Sequence, residues 1–152
     1  MSTGPSAATP GEVADRLHAA AVRLLRLLRE QDRAAGVGPA RLSALSVLTY
    51  GGPCTLGELA RAEQVSPATI SRVVRGMESG GLARRLPDRS DRRVTRVEAT
   101  PRGRRELEKA RQRRLEELAA LLEPLGGEDL AALAAAAGVL RGLLDRRVRP
   151  RP

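Results

Sequence analysis

The stretch Asp88-Arg89-Ser90-Asp91-Arg92-Arg93 is the most informative part of this 152-residue chain, because five of its six residues are charged. Unpaired charges are too costly to bury, so such a run must face solvent or a polyanion. Arg84 and Arg85 precede it, and the alternating segment Val94-Thr95-Arg96-Val97-Glu98-Ala99 follows it. Alternation with a period of two is typical of a strand. The sequence therefore predicts two short strands joined by an arginine-rich tip, which is a wing.

Two short helices are predicted directly before this wing. The first covers about residues 56–63, because Thr55 and Glu58 have the spacing of a capping box. The second covers about residues 67–79, with Ser66 as N-cap and Pro67 at the first helical position. Two helices joined by a tight turn and followed by a wing form a winged helix-turn-helix.

Longer helices are predicted on both sides of this unit, at about residues 11–33, 39–50, 100–123 and 128–148. Phe and Trp are absent and Tyr50 is the only aromatic residue, so the core must consist of Leu, Val and Ala. The predicted fold class is therefore mainly α with a small β-wing. The last two helices carry heptad-like stripes, which pack either on another helix or on the core of the same chain. These stripes are Leu115, Leu118, Leu122 and Leu125, then Leu130, Leu133, Ala137, Leu140 and Leu144.

The net charge of +9 indicates a polyanionic partner, most often nucleic acid. Lys109 is the only lysine among 27 basic residues, which also fits a coding bias toward arginine. The position of the charge separates the two explanations. Residues 72–105 hold eleven basic and four acidic residues, a net charge of +7, whereas a general bias would spread the charge along the chain. Double-stranded DNA is the expected partner.

Several function classes lack support in the sequence. The chain has one His, one Cys and no Gly-rich phosphate loop, so we expect no enzyme, no cofactor, no metal site and no intramolecular disulfide. No run of 18 apolar residues exists, so no membrane association is expected. Residues 1–10 have the composition of a disordered tail rather than of a signal peptide. The expected location is the cytoplasm.

At this point the residues resemble those of the MarR family of bacterial transcription regulators. The resemblance rests on four segments and covers nearly the whole chain beyond the tail. They are Val65-Ser66-Pro67-Ala68-Thr69-Ile70-Ser71-Arg72, Gly81-Leu82-Ala83-Arg84-Arg85, Asp88 to Arg93, and Ala99-Thr100-Pro101-Arg102-Gly103.

The resemblance implies a homodimer that binds a pseudo-palindromic operator, usually as a repressor, and releases it when a small ligand binds. It implies an N-terminal dimerisation helix at residues 11–35, a DNA-binding lobe at 36–100 and C-terminal dimerisation helices at 101–148. The family's ligand pocket lies between the dimerisation helices and the lobe, where His18 and Tyr50 are weak candidates. Because Phe and Trp are absent, this chain departs from relatives whose pockets are lined by aromatic residues.

The expected DNA contacts lie on the second short helix and on the wing. A helix N-terminus favours a phosphate, small residues allow close approach to base edges, and Arg72 can bind a guanine in bidentate fashion. The helix residues are Ser66, Pro67, Ala68, Thr69, Ser71, Arg72 and Arg75. By resemblance Arg93 enters the minor groove, Asp91 braces the wing, and Arg89 and Arg92 contact phosphates.

Two other readings of the wing stay open. A non-specific architectural protein would bind DNA with the same basic wing, and competition by unrelated DNA would distinguish it from a regulator. A winged-helix protein that binds a protein partner would leave the wing exposed, and it would show no affinity for DNA.

Overall fold

The computed structural model describes residues 8–34 and 36–148. Helices dominate this part of the chain, and three short strands form a small sheet, so the predicted fold class is confirmed. In chain order the elements are α1 Pro10–Ala34, α2 Pro39–Tyr50, β1 Cys54–Thr55, α3 Leu56–Glu63, α4 Pro67–Ser79, β2 Ala83–Pro87, β3 Thr95–Ala99, α5 Pro101–Leu122 and α6 Gly127–Val148.

The helix starts follow the local capping chemistry. The predicted capping box is present at α3, where Glu58 N donates to Thr55 Oγ1 over 3.2 Å and Thr55 N donates to Glu58 Oε2 over 2.8 Å. A similar pair, Thr9 and Glu12, caps α1, which therefore begins at Pro10, one residue before the predicted start. Residues 1–7 of the predicted tail lie outside the described residues.

The sheet is antiparallel in the order β1-β3-β2, with β3 in the centre. The wing strands pair from Ala83 with Ala99 to Pro87 with Thr95, as the alternating sequence predicts. Strand β1 was not predicted, since its two residues are too few to show a period. It forms because Cys54 and Thr55 pair with Val97 and Arg96.

The core lies inside the winged helix-turn-helix lobe and consists of aliphatic side chains. One face of each of α2, α3 and α4 is buried in this core, and Val73 of α4 is half-buried against it. The buried set is Leu42, Ala44, Leu45, Leu48, Leu59, Ala60, Ile70, Val74, Met77, Leu82, Ala83, Val97, Ala99, Leu107 and Ala110.

Helix α5 begins directly on the base of the wing. Thr100 Oγ1 donates to Gly81 O over 2.7 Å and accepts a hydrogen bond from Gly103 N over 3.0 Å. A Cβ atom at Gly103 would lie 2.1 Å from Leu82 O, so only glycine fits this contact. The Thr-Pro-Arg-Gly segment is thus the joint between wing and helix.

The chain divides into two compact units, residues 1–114 and 115–152. The first contains the lobe and α1. In the described part of the second, up to residue 148, the large apolar side chains of α6 are exposed within one protomer. They are Leu130, Leu133, Val139, Leu140, Leu143 and Leu144.

Candidate nucleic-acid interface

Helix α4 shows one face to the core and another to solvent. Ile70, Val74 and Met77 are fully buried, which fixes the helix on the lobe. Of the predicted contact residues, all except Ser71 are exposed, and they are Ser66, Pro67, Ala68, Thr69, Arg72 and Arg75. An exposed helix face with two arginines is the shape and charge that a DNA major groove accepts.

The first turn of α4 is closed by hydroxyl groups. Ser66 Oγ accepts a hydrogen bond from Thr69 N over 3.2 Å and lies 2.9 Å from Thr69 Oγ1. The predicted N-cap is confirmed, and both hydroxyls already have a partner inside the protein. Ser71 is half-buried, because it lies beside Ile70 and three residues before Val74 on the helix. Its hydroxyl is less accessible than the sequence pattern predicts.

The wing tip presents three arginines to solvent. Arg89, Arg92 and Arg93 are exposed, and in the described part of the chain none of them has a carboxylate partner within 4 Å. The backbone of the tip is fixed, since Asp91 Oδ1 accepts a hydrogen bond from Arg93 N over 2.9 Å and Asp91 O accepts one from Val94 N over 2.9 Å. The positive charge is therefore held on a defined turn.

One residue of the charged stretch does not face solvent. The sequence predicts that the whole run from Asp88 to Arg93 is exposed, but Asp88 is only 8% exposed. Its carboxylate accepts hydrogen bonds from Ser90 N, Ser90 Oγ and Asp91 N and also binds Arg96. Hydrogen bonds from Ser90, then from Arg96, hold the pKa of Asp88 well below its usual range. Asp88 is thus the main acceptor inside the wing, beside Asp91.

Arg96 joins the wing to the helix-turn-helix. Its Nε donates to Asp88, its Nη1 donates to Pro53 O over 3.1 Å, and the same nitrogen lies 3.7 Å from Glu58 Oε2. Sequence spacing could not find these partners, because Pro53 and Asp88 are 43 and 8 residues away from Arg96. The wing base, β1 and the start of α3 share this guanidinium.

Other basic residues of the same segment are paired. Arg84 donates to Glu98 Oε1 over 2.6 Å, and Arg85 lies 3.2 Å from Glu78 Oε1. These pairs lower the effective charge at the base of the wing, whereas the arginines of the wing tip and of α4 have no such pairs in the described residues.

Cys54 is half-buried, and burial raises the pKa of its thiol, with the Glu58 carboxylate as a further cause. A raised pKa keeps the thiol protonated and weakly reactive. In the described part of the chain no three His, Cys, Asp or Glu side chains lie close enough to hold a metal ion. Nor does any described helix have the length and apolar character that crossing a membrane requires.

A cavity of about 650 Å³ lies between α1, α2 and the first half of α5. Tyr50 lines this cavity, whereas the other sequence candidate, His18, is an exposed residue of α1 outside it. Asp32 and Arg114 form a bidentate ion pair in its wall, with N–O distances of 2.7 and 2.8 Å. The cavity wall thus combines aliphatic side chains with several arginines and one buried carboxylate, that of Asp32.

Several known proteins are similar to this chain in sequence or in fold. A profile described as the MarR family matches residues 38–95. An uncharacterized HTH-type transcriptional regulator of Mycobacterium bovis is 33% identical over 133 residues, which is 88% of this chain and 93% of that protein. A MarR family protein from Bacillus stearothermophilus has 27% identity and a TM-score of 0.75, over 91% of this chain and 95% of that chain.

The fold is also that of an S. aureus MepR mutant bound to an oligodeoxyribonucleotide, with a TM-score of 0.67, 18% identity, and coverage of 87% and 97%. The relatives are transcriptional regulators and not enzymes, in agreement with the sequence prediction. With its paired α3 and α4, its arginine-tipped wing and a relative of 33% identity along most of its length, the chain belongs to the MarR family of DNA-binding transcription regulators.

Proposed function

We propose that this protein is a sequence-specific regulator that binds a pseudo-palindromic operator as a homodimer and acts as a ligand-responsive repressor. The observation that carries the proposal is the pairing of an exposed α4 face with a wing whose three tip arginines have no carboxylate partner in the described residues. The MepR relative was solved with an oligodeoxyribonucleotide on the same fold. Such a protein acts in the cytoplasm, where its operator lies.

The two proposed DNA contacts have different roles. Helix α4 enters the major groove, where Ser66, Pro67, Ala68 and Thr69 come close to the DNA at its N-terminal end and Ser71, Arg72 and Arg75 add polar contacts. Arg93 enters the adjacent minor groove, whose narrow and electronegative form favours arginine. Arg89 and Arg92 bind phosphates, and Asp91 holds the tip.

The homodimer is supported by apolar residues that one protomer leaves uncovered. Helix α1 exposes Val13, Leu17, Val22, Leu24 and Leu25, and α6 exposes six further apolar residues of the heptad-like region. Several exposed apolar residues on one helix are a mark of a protein–protein interface. Two copies would cover these helices, and they would place two copies of α4 on half-sites about one helical turn apart.

The response to a ligand is supported by the cavity between α1, α2 and α5. Its wall combines aliphatic side chains with Arg29 and Arg33, which form no ion pair in the described residues, so an amphipathic carboxylate fits it better than a flat phenol. A ligand that binds here more tightly in one conformation than in another would shift the affinity for DNA. The absence of Phe and Trp from the chain leaves Tyr50 as the only aromatic ring in the cavity wall.

A selection of bound fragments from a random DNA library tests this function with the purified full-length chain. We expect one motif with two half-sites, and an affinity at least about 10³-fold above that for unrelated DNA. A ratio near one would support the architectural alternative, which the basic surface also allows. Absence of any DNA binding would leave only a role with a protein partner.

Replacement of one wing residue tests the site itself. We expect Arg93→Ala to weaken operator binding by about tenfold or more, since the variant has no guanidinium to place in the minor groove. Arg141→Ala on α6 removes the same charge outside the proposed DNA interface and serves as the control, once sedimentation shows that both variants dimerise like the wild type. Equal affinities of Arg93→Ala and Arg141→Ala at fixed salt would contradict the role of the wing.

A further inference from the structure

A second basic feature lies beside α4, at the junction between α1, α2 and α4. It is an open cleft of about 490 Å³, and its wall contains Arg33, Arg41 and Arg72 but no acidic residue. In the described part of the chain none of these three arginines forms an ion pair. Three unpaired guanidinium groups around one cleft repel one another unless an anion lies between them.

The position of Arg41 depends on a glycine of α4. A Cβ atom at Gly76 would lie 2.9 Å from Arg41 Nη2, 3.2 Å from Nε and 3.3 Å from Cζ, so the guanidinium lies against the helix backbone at this residue. Glycine inside a helix costs free energy relative to alanine, so a glycine here requires a local reason. The close approach of Arg41 provides one, and Arg41 also lines the cleft.

The cleft has the chemistry of a phosphate site. Guanidinium groups bind phosphate oxygens through charge-assisted hydrogen bonds. The N-terminal end of α2 opens on the same space, where Gly38, Pro39 and Ala40 line the wall. No side chain caps this helix end, so its free backbone N–H groups are further donors for a phosphate.

We propose that this cleft binds one phosphate of the DNA backbone next to the major groove that α4 enters. The inference rests on the proposed DNA-binding function, and it changes the expected role of Arg72. Arg72 lines the cleft together with Arg41, so it contacts the backbone, whereas the sequence alone predicts that it binds a guanine. Arg41 and Gly76, which the sequence did not single out, become part of the interface.

The first test uses Arg41→Met and Arg72→Met with the selected operator and a set of its single-base-pair variants. Each substitution is expected to lower the affinity by about tenfold, and by nearly the same factor for every fragment, because a bond to a phosphate carries no base information. The slope of log K against log[salt] should become less steep by about 0.9 for each phosphate that the variant protein no longer neutralises. A weakening by Arg72→Met that is confined to one base pair would show base recognition and overturn the proposal.

The second test separates stability from DNA affinity. Gly76→Ala should raise or maintain the melting temperature, because alanine favours the helix, yet it should weaken DNA binding by displacing Arg41. The matched control is Gly57→Ala in α3, where an added Cβ meets no atom within 4 Å. This control should raise the melting temperature and leave DNA binding unchanged. Equal DNA affinities of the two variants would contradict the proposed role of Arg41.

The following outcomes separate a failure of the cleft proposal from a failure of the proposed DNA-binding function, and they separate a DNA phosphate from free phosphate. If the wild type binds its operator and Arg93→Ala weakens that binding, but Arg41→Met binds like the wild type, only the cleft proposal fails. If the wild type selects no DNA, the proposed function fails with it. Inorganic phosphate is the remaining probe: if it raises the melting temperature only when Arg41 is present, while Arg41→Met keeps full DNA affinity, the cleft takes free phosphate instead.

Discussion

Helices α4 and α6 have apolar residues at the same helical spacing, but their surroundings differ. Ile70, Val74 and Met77 of α4 are at most 1% exposed, whereas Leu130, Leu133, Leu140 and Leu144 of α6 are 41–55% exposed. The spacing of apolar residues indicates that a helix face will be covered, but it does not say by which chain. The apolar face of α4 is covered by the lobe itself, whereas in the proposed homodimer the apolar residues of α6 are covered by a second copy.

The largest expected effect is on the core of the lobe. Leu45 of α2 is fully buried and lies against the start of α5. Leu45→Ala should therefore leave a cavity and lower the free energy of unfolding by about 2–5 kcal/mol. Chemical denaturation at several protein concentrations measures it. The decrease should not depend on concentration, because the packing is within one chain. A decrease below about 1 kcal/mol would contradict tight packing of Leu45 in the core of the lobe.

The next effect concerns α6. In the proposed homodimer Leu140 is covered by the partner, so Leu140→Ala should weaken dimerisation by about 2 kcal/mol, or roughly 30-fold in Kd. Sedimentation equilibrium measures this change. Unlike the change at Leu45, its effect on the melting temperature should grow as the protein is diluted. A wild-type protein that remains a monomer at all concentrations would contradict the proposal that a second copy covers α6.

A smaller effect is expected at the helix starts, where the two regions can be compared with the same chemistry. Thr55→Ala removes the cap of α3 and should cost about 1 kcal/mol of unfolding free energy. Thr9→Ala removes the equivalent hydrogen bonds of α1 at the end of the described chain, and it should cost less because that end can fray alone. Thermal denaturation of both variants measures the two losses of stability. A larger effect of Thr9→Ala would show that the start of α1 is as firmly held as the lobe.

The smallest effect is local to the wing and depends on pH. The folded-state pKa of Asp88 lies below its unfolded value, so its contribution to stability is present above the unfolded pKa and is lost as the pH falls toward the folded pKa. The difference in melting temperature between wild type and Asp88→Asn should therefore be constant above about pH 5 and shrink below about pH 4. Asp91→Asn is the control at the neighbouring carboxylate. A difference that instead grew as the pH fell would contradict this role of Asp88.

Much of the fold was predictable because its signals are local. Thr55 with Glu58, Ser66 with Pro67, and the charged turn between alternating segments each fix an element within a few residues. Strand β1 was missed, since Cys54 and Thr55 become a strand only by pairing with Val97 and Arg96. Local patterns predict helices and turns, and pairing across the chain decides such short strands.

The candidate site was predictable in part for the same reason. Exposed arginines at the wing tip follow from the cost of burying charge. The burial of Asp88 could not be predicted from the sequence, since its partner Arg96 comes from the opposite strand and also contacts Pro53 and Glu58. The packing of Arg41 on Gly76 joins two helices that are distant in sequence, so no local signal indicated it. Which residues touch DNA is still a prediction that the variants above test.

The position of Tyr50 has a practical consequence for spectroscopy. It is the only aromatic residue of the chain, it is 72% exposed, and it lines the cavity between α1, α2 and α5. All intrinsic ultraviolet fluorescence of the protein therefore originates from one ring at the edge of the proposed ligand site. Its emission and its near-ultraviolet circular dichroism should report occupancy of that cavity without any label, in a titration where non-aromatic compounds contribute no background.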